Sequence, residues 1–238
     1  MSRKQRFHKK EDNIVTFNNY VGKTRDVIIM PRNRNQEKYL DLLENSKNYI
    51  TIAIGDAGTG KTYLAMLAAI RALKENKIDK IILTRPAVGV DNEKHGFLPG
   101  TLDDKMQPWL IPLFDVLEEF YDPKQIKSML DNKTIDISPL AFMRGRNLKR
   151  SYIIADEMQL STITQFKMLL TRIAEGSKMV ITGDINQSDR NLGDNAGLKD
   201  FMQRLRNYPG DMIGCVEFSR GDIQRHPIVN EVLNLYDQ

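Results

Sequence analysis

The run Gly55-Asp56-Ala57-Gly58-Thr59-Gly60-Lys61-Thr62 fits G-x-x-x-x-G-K-[ST] at every position, and it constrains the fold more than any other stretch of the chain. Tyr49 to Ile54 before it reads as a short buried strand, and Tyr63 to Leu73 after it reads as a helix. A strand that ends in a glycine-rich turn and feeds a helix makes backbone N–H groups converge on one point, with the positive end of the helix dipole behind them. That is a cradle for phosphate oxygens. The glycines are needed because a Cβ would hold the backbone away from the anion. In such a cradle Lys61 reaches the β- and γ-phosphates of a nucleoside triphosphate, and the Thr62 hydroxyl ligates Mg²⁺. Gly55 to Tyr63 is therefore the expected nucleotide-binding segment.

The 238 residues suffice for one large domain, and 41% hydrophobic with 28% charged residues is ordinary for a globular protein. No apolar stretch is long enough to span a bilayer, and no signal-peptide pattern opens the chain, so no membrane partner is expected. The single cysteine, Cys215, cannot form an intrachain disulfide, which points to a reducing, cytoplasmic setting. The net charge of +4 is carried by Arg3, Lys4, Arg6, Lys9 and Lys10; without them the remainder is −1. Residues 1–25 read as a basic, disordered tail and 26–238 as one α/β domain. Two local patches have opposite sign: Arg144, Arg146, Lys149 and Arg150 without an intervening acid, and an acid-rich stretch over 91–122.

Apolar runs at 26–30, 49–54, 80–84, 134–138, 152–155, 178–182 and 211–218 read as strands. Helical spacing covers 36–44, 63–73, 102–120 with the lone Trp109, 161–174 and 228–236. Residues 86–101, rich in Gly and Pro, read as a long functional loop. Buried strands alternating with helices predict a doubly wound, mostly parallel sheet with helices on both faces. With one cysteine and scattered histidines there is no metal-site spacing beyond the Mg²⁺ that arrives with nucleotide.

Tyr152-Ile153-Ile154-Ala155-Asp156-Glu157 is an apolar strand ending in two carboxylates. Asp156 fits the position that holds Mg²⁺, and Glu157 the position beside the γ-phosphate where a carboxylate orients and deprotonates water. Thr182-Gly183-Asp184-Ile185-Asn186-Gln187 follows the next strand, whose natural neighbour is the one ending in Asp156. Because strand carboxyl ends line the ligand crevice, Asp184 or Gln187 is a candidate γ-phosphate sensor, and Gln159 can join the same relay.

GDAGTGKT, TRPAV, GFLPG, FMRGRNL, ADEMQ, TGDINQ and RHPIV occur in this order between about Val27 and Val232. Together they resemble the PhoH family of P-loop ATPases, itself similar to the first motor domain of superfamily 1 helicases. The resemblance implies a RecA-like fold, ATP binding and hydrolysis with Mg²⁺, and RNA or single-stranded nucleic acid as target. It also implies that Gln36 reads adenine, that Asp156 and Glu157 are the metal and water carboxylates, and that Asp184 with Gln187 senses the γ-phosphate. Arg225, with Arg220 upstream, resembles the late arginine that contacts the γ-phosphate. Met158 and Leu160 depart from the family pattern, as does Ser188 to Leu192.

A single motor domain has no second domain to supply an arginine finger. The expectation is a homo-oligomer, a ring such as a hexamer, in which Arg220 or Arg225 acts on a neighbour with Arg85 and Arg144 as further candidates, or else a weak ATPase switch. Two functional readings stand side by side. One is an ATPase acting on RNA or single-stranded DNA through Arg144, Arg146, Lys149 and the 86–100 loop; the other is an ATP-dependent protein-interaction module docking through the acidic 91–122 segment.

Overall fold

The computed structural model describes residues 26–86, 111–187, 193–224 and 228. Outside these lie the basic tail, most of the 86–101 loop, Trp109, Ser188 to Leu192, Arg225 and the expected closing helix apart from Ile228. Six apolar runs form one all-parallel sheet: β1 (Ile50–Gly55), β2 (Lys80–Arg85), β3 (Ile135–Pro139), β4 (Ser151–Ala155), β5 (Lys178–Gly183) and β6 (Ile213–Phe218), in the order β3-β2-β4-β5-β1-β6. This is the doubly wound α/β, RecA-like arrangement. The strand before the glycine loop is not beside the strand ending in Asp156. β5 lies between them, with Ile52 opposite Ile181 on one side and Ile154 opposite Val180 on the other.

Strand residues alternate between two cores, as the period of two requires. Ala53, Ile81, Leu83, Ile154 and Val180 pack with α1 (Arg34–Glu44), α2 (Lys61–Lys74), a helix over 111–118 (α3) and α4 (Pro123–Asp131). Ile52, Ile54, Ile82, Ile153 and Ile181 face α5 (Ile163–Leu170) and α6 (Gly197–Leu205). Helix starts follow capping chemistry: Asn33 accepts from the Gln36 N–H, and Thr162 with Gln165 forms a reciprocal capping box. α2 differs. Its N-cap is Gly60 in the left-handed region (φ 86°), and no side chain among the described residues caps its first turn.

Three sequence expectations need correction. Residues 26–30 form no strand: only Val27 is buried, while Ile28 and Met30 are each 75% exposed, so the run has no sheet face to cover. The helix expected over 161–174 is confined to Ile163–Leu170. Helices α4 and α6 were not expected. α4 buries only Ile126, so it carries almost no apolar periodicity, whereas Leu198, Phe201, Met202 and Leu205 of α6 have readable helical spacing after an irregular segment.

Burial raises the phenol pKa values of Tyr39, Tyr121 and Tyr152, that of Tyr121 to about 12. The unfolded chain ionises its tyrosines near pH 10. Between roughly pH 10 and 12 the unfolded state has therefore released protons that the native state keeps, and stability present below pH 10 is lost as pH rises. The buried Tyr152 hydroxyl has no hydrogen-bond partner among the described residues. Tyr152→Phe is expected to gain about 1 kcal/mol, roughly 2–4 °C in thermal midpoint, and to lessen the alkaline decline. Thermal unfolding at pH 7 and pH 10.5 checks both; a lower midpoint for the variant would contradict the assignment.

Candidate active site

The glycine loop, the Asp156-Glu157 pair and the β5 loop meet at the carboxyl ends of β1, β4 and β5, around a cavity of about 360 Å³. Its lining includes Lys61, Thr62, Arg85, Asp156, Glu157 and Gln187. The loop needs its glycines in a measurable way. A Cβ on Gly55, at φ 131°, would lie 2.1 Å from the Phe218 carbonyl oxygen, and one on Gly60 would lie 3.0 Å from Gln36 Nε2. The uncapped first turn of α2 keeps its N–H groups available to an anion.

The Lys61 ammonium lies across the loop, donating to the carbonyls of Gly55 and Asp56 at 2.7 Å and to Thr59 Oγ1 at 3.3 Å. Burial pulls its pKa down, while Asp184, Glu157, Asp156 and Asp56 pull it back up. Thr59, fully buried, donates its hydroxyl to the Asp56 carbonyl. Asp156 Oδ1 accepts from the Thr62 hydroxyl at 2.8 Å and from the Thr182 hydroxyl at 2.5 Å. Hydroxyl and carboxylate oxygens beside a phosphate cradle suit Mg²⁺, which binds through one or two protein oxygens plus water and phosphate. The residues that would hold it are Thr62 and Asp156. Thr182 was missed from sequence, although a hydroxyl closing the apolar run Met179-Val180-Ile181 was a readable signal.

Glu157 sits at the mouth of the cavity in a left-handed conformation (φ 54°, ψ 38°), with Oε1 4.0 Å from an Arg85 guanidinium nitrogen. Its carboxylate can take a proton from a water held against a γ-phosphate. Asp184 is only 5% exposed, and its Oδ1 accepts the Asn186 N–H at 2.9 Å, so it shapes the β5 loop. Both Asp184 and Gln187 line the cavity, Gln187 as an exposed side chain. Tyr63 is an exposed aromatic wall whose hydroxyl reaches Glu119 at 3.4 Å.

Two further predicted residues, Gln36 and Arg220, lie beside the glycine loop. Gln36 is 3% exposed; its Nε2 donates to the Thr59 carbonyl at 3.0 Å and its Oε1 accepts the Arg32 N–H at 2.8 Å. It braces the loop from behind instead of presenting its amide to a base. Arg220 stands 3.8 Å from Asp56 of its own loop. The turn that carries it is tied in by Asp222, which accepts from Asn35 at 2.8 Å and from the Ser219 N–H at 2.8 Å, and by the Gln224 N–H, which reaches the Gly58 carbonyl at 2.9 Å. Burial works against the Asp222 charge, but these bonds from Ser219 and Asn35 hold its carboxyl below the usual range. Arg225 lies outside the described residues.

The basic patch is partly neutralised. Arg146 pairs with Asp136 and Arg150 with Asp79; Lys149 is exposed before β4, and Arg144 is exposed just past β3 beside an exposed Phe142 that sequence reading passed over. Among the described residues no group of three or more His, Cys, Asp or Glu could hold a metal by itself, and no helix is long and apolar enough to cross a membrane.

Residues 28–237 match the family model described as "PhoH-like protein". A PhoH-like protein of Mycobacterium bovis is 44% identical over 90% of this chain and 58% of its own length. One from Synechocystis is 39% identical over 97% of this chain and 69% of its own, and Protein PhoH of Escherichia coli is 35% identical over 87% and 58%. This chain thus spans between 58% and 69% of the length of these relatives. Among solved structures, the Sulfolobus solfataricus SWI2/SNF2 ATPase core in complex with dsDNA aligns with a TM-score of 0.48 and 14% identity over 83% of this chain and 46% of that one, a likeness too loose to bear weight beside the strand order itself.

The placement of Gln36 has a direct consequence. Gln36→Ala strips a partner from both the Thr59 carbonyl and the Arg32 N–H, a loss of about 1–3 kcal/mol in loop order. Affinity for ATP and GTP is expected to weaken together, by roughly tenfold each. Titration with both nucleotides checks it; selective loss of ATP binding would instead make Gln36 a reader of the base.

Proposed function

This chain belongs to the PhoH-like protein family, and on that premise we propose that it is a Mg²⁺-dependent ATPase. The observation that carries the reading is the meeting of Thr62 and Thr182 on Asp156, with Glu157 next in sequence at the same cavity. A phosphate loop alone binds nucleotide. A loop joined to a metal carboxylate and followed by a second carboxylate is equipped for attack by water.

The α2 N-terminus and the loop N–H groups bind the phosphates, and Lys61 exchanges its loop carbonyls for phosphate oxygens. Thr62 and Asp156 would hold Mg²⁺, which would supply charge neutralisation of the triphosphate when bound. Glu157 orients the attacking water and takes its proton, and Gln187 reports on the γ-phosphate. Arg85, in the same cavity, supplies positive charge in cis. An adjacent copy of the chain in a homo-oligomeric ring is the further source of a finger, with Arg225 and the exposed Arg220 as first candidates and the exposed Arg144 behind them. The target is RNA or single-stranded DNA, for which exposed Phe142 and Arg144, just past the carboxyl end of β3, are the candidate basic and aromatic contact; Lys149, also exposed, lies at the other end of the sheet, before β4. The setting is cytoplasmic.

The test is ATP hydrolysis with and without single-stranded RNA for wild type, Lys61→Ala and Glu157→Gln, with mass measured in parallel. Glu157→Gln should lose about 10²–10⁴ in kcat while still binding ATP; full turnover would rule Glu157 out as the base. Salt-sensitive stimulation by RNA supports the nucleic-acid target. Indifference to every nucleic acid, with a protein pull-down that changes between ATP and ADP, would favour the interaction-switch reading. Turnover per site should fall on dilution below the assembly concentration; a fully active monomer would remove the neighbour's arginine from the mechanism.

A further inference from the structure

The base does not stand alone at the end of β4. Glu157 adopts the left-handed conformation, which is strained for a non-glycine residue, and it is followed by a 3-10 turn over Met158–Leu160. That turn brings Gln159, 2% exposed, back against the base. Gln159 Nε2 donates to Glu157 Oε2 at 2.5 Å, and Gln159 Oε1 accepts the Asp184 N–H at 3.1 Å. The amide can be oriented only one way: the carboxylate accepts and needs the NH₂, while the backbone N–H donates and needs the carbonyl oxygen.

The packing around this bridge leaves no slack. A Cβ on Gly183 would lie 2.8 Å from Gln159 Oε1 and 2.6 Å from Leu198 Cδ2 of α6. Leu198 and Met158 are both fully buried. The two oxygens of the base are thereby divided between two neighbours, Oε2 taken by Gln159 and Oε1 toward Arg85. On its other side the bridge reaches Asp184, whose carbonyl accepts the Gln187 N–H at 3.1 Å and whose carboxylate caps Asn186.

We propose that Gln159 is a positioning residue that fixes the Glu157 carboxylate for water activation and couples it to the loop that carries Gln187. This rests on the hydrolytic reading above. One amide joins the group that takes the proton to the group that senses the phosphate, so movement of the β5 loop on nucleotide binding or phosphate release turns the base through a single buried side chain. Gln159 touches no reacting atom itself, and its contribution is to orientation.

The experiment compares Gln159→Leu and Gln159→Glu with wild type and Glu157→Gln in the full chain, reading kcat, KM for ATP, ATP dissociation constant and thermal midpoint. Gln159→Leu removes both bonds. Gln159→Glu keeps an acceptor for the Asp184 N–H but sets a second carboxylate against the base, and it stands as the test if the leucine variant fails to fold. Both variants should lose between about tenfold and a hundredfold in kcat, with KM and ATP affinity within about twofold of wild type. Unchanged kcat in either folded variant would overturn the proposal, as would a parallel decline of kcat, affinity and thermal midpoint, which is the mark of a purely structural role. If Glu157→Gln retains full turnover, the hydrolytic reading fails first; if it is inactive while the Gln159 variants are not, only the positioning role fails.

Discussion

One oxygen of Asp156 accepts hydroxyls from two different elements, Thr62 at the start of α2 and Thr182 at the end of β5. The rest of the site depends on that convergence. It ties the glycine loop to the carboxylate strand across an intervening strand and sets the spacing at which a metal and a triphosphate would sit. Hydrogen bonds to a charged acceptor are stronger than neutral ones and shorten accordingly. A partly buried carboxylate with two such donors is a fixed point against which the mobile parts of a nucleotide site can be ordered.

The loop is held from behind by chain segments far apart in sequence. α1 contributes Gln36 to the Thr59 carbonyl and Tyr39 to the Lys61 carbonyl at 3.2 Å, while its N-terminal Asn35 holds Asp222. The turn after β6 contributes the Gln224 N–H and sets Arg220 beside Asp56. Tyr39 and Phe218 meet edge to face, 5.7 Å between centroids, and lock these two braces together behind β1. A loop rich in glycine has high conformational freedom before it binds. Bracing it in advance lowers the ordering cost that nucleotide would otherwise bear.

The same logic explains where the residues singled out by motifs are placed. Gln36 lies behind the loop as part of its support, and Arg220 stands exposed beside Asp56 of the same loop. Asp184 and Gln187 both line the cavity, but Asp184 is buried and also shapes the turn, while Gln187, three residues on, is exposed. Motif position determines the neighbourhood of a side chain. Whether its polar atoms face the cavity or the backbone depends on the hydroxyls, amides and carbonyls that other elements bring to it.

The phosphate loop, five of the six strands with close bounds, the parallel doubly wound class and the Asp156-Glu157 pair were all legible in sequence. Each rests on local rules: glycine spacing, apolar runs and a carboxylate pair closing a buried strand. Nothing local announces that Thr182 shares Asp156 with Thr62, because that pairing requires β5 to lie between β1 and β4. Nor could spacing show that Arg146 and Arg150 neutralise themselves on Asp136 and Asp79, from other strands and turns. The amino-acid order by itself determined which chemistry the chain carries and at which strand ends it appears. Only the tertiary structure decided which of those groups meet, since hydrogen bonds across the sheet are set by strand order, and strand order is set by how two apolar faces are covered at once.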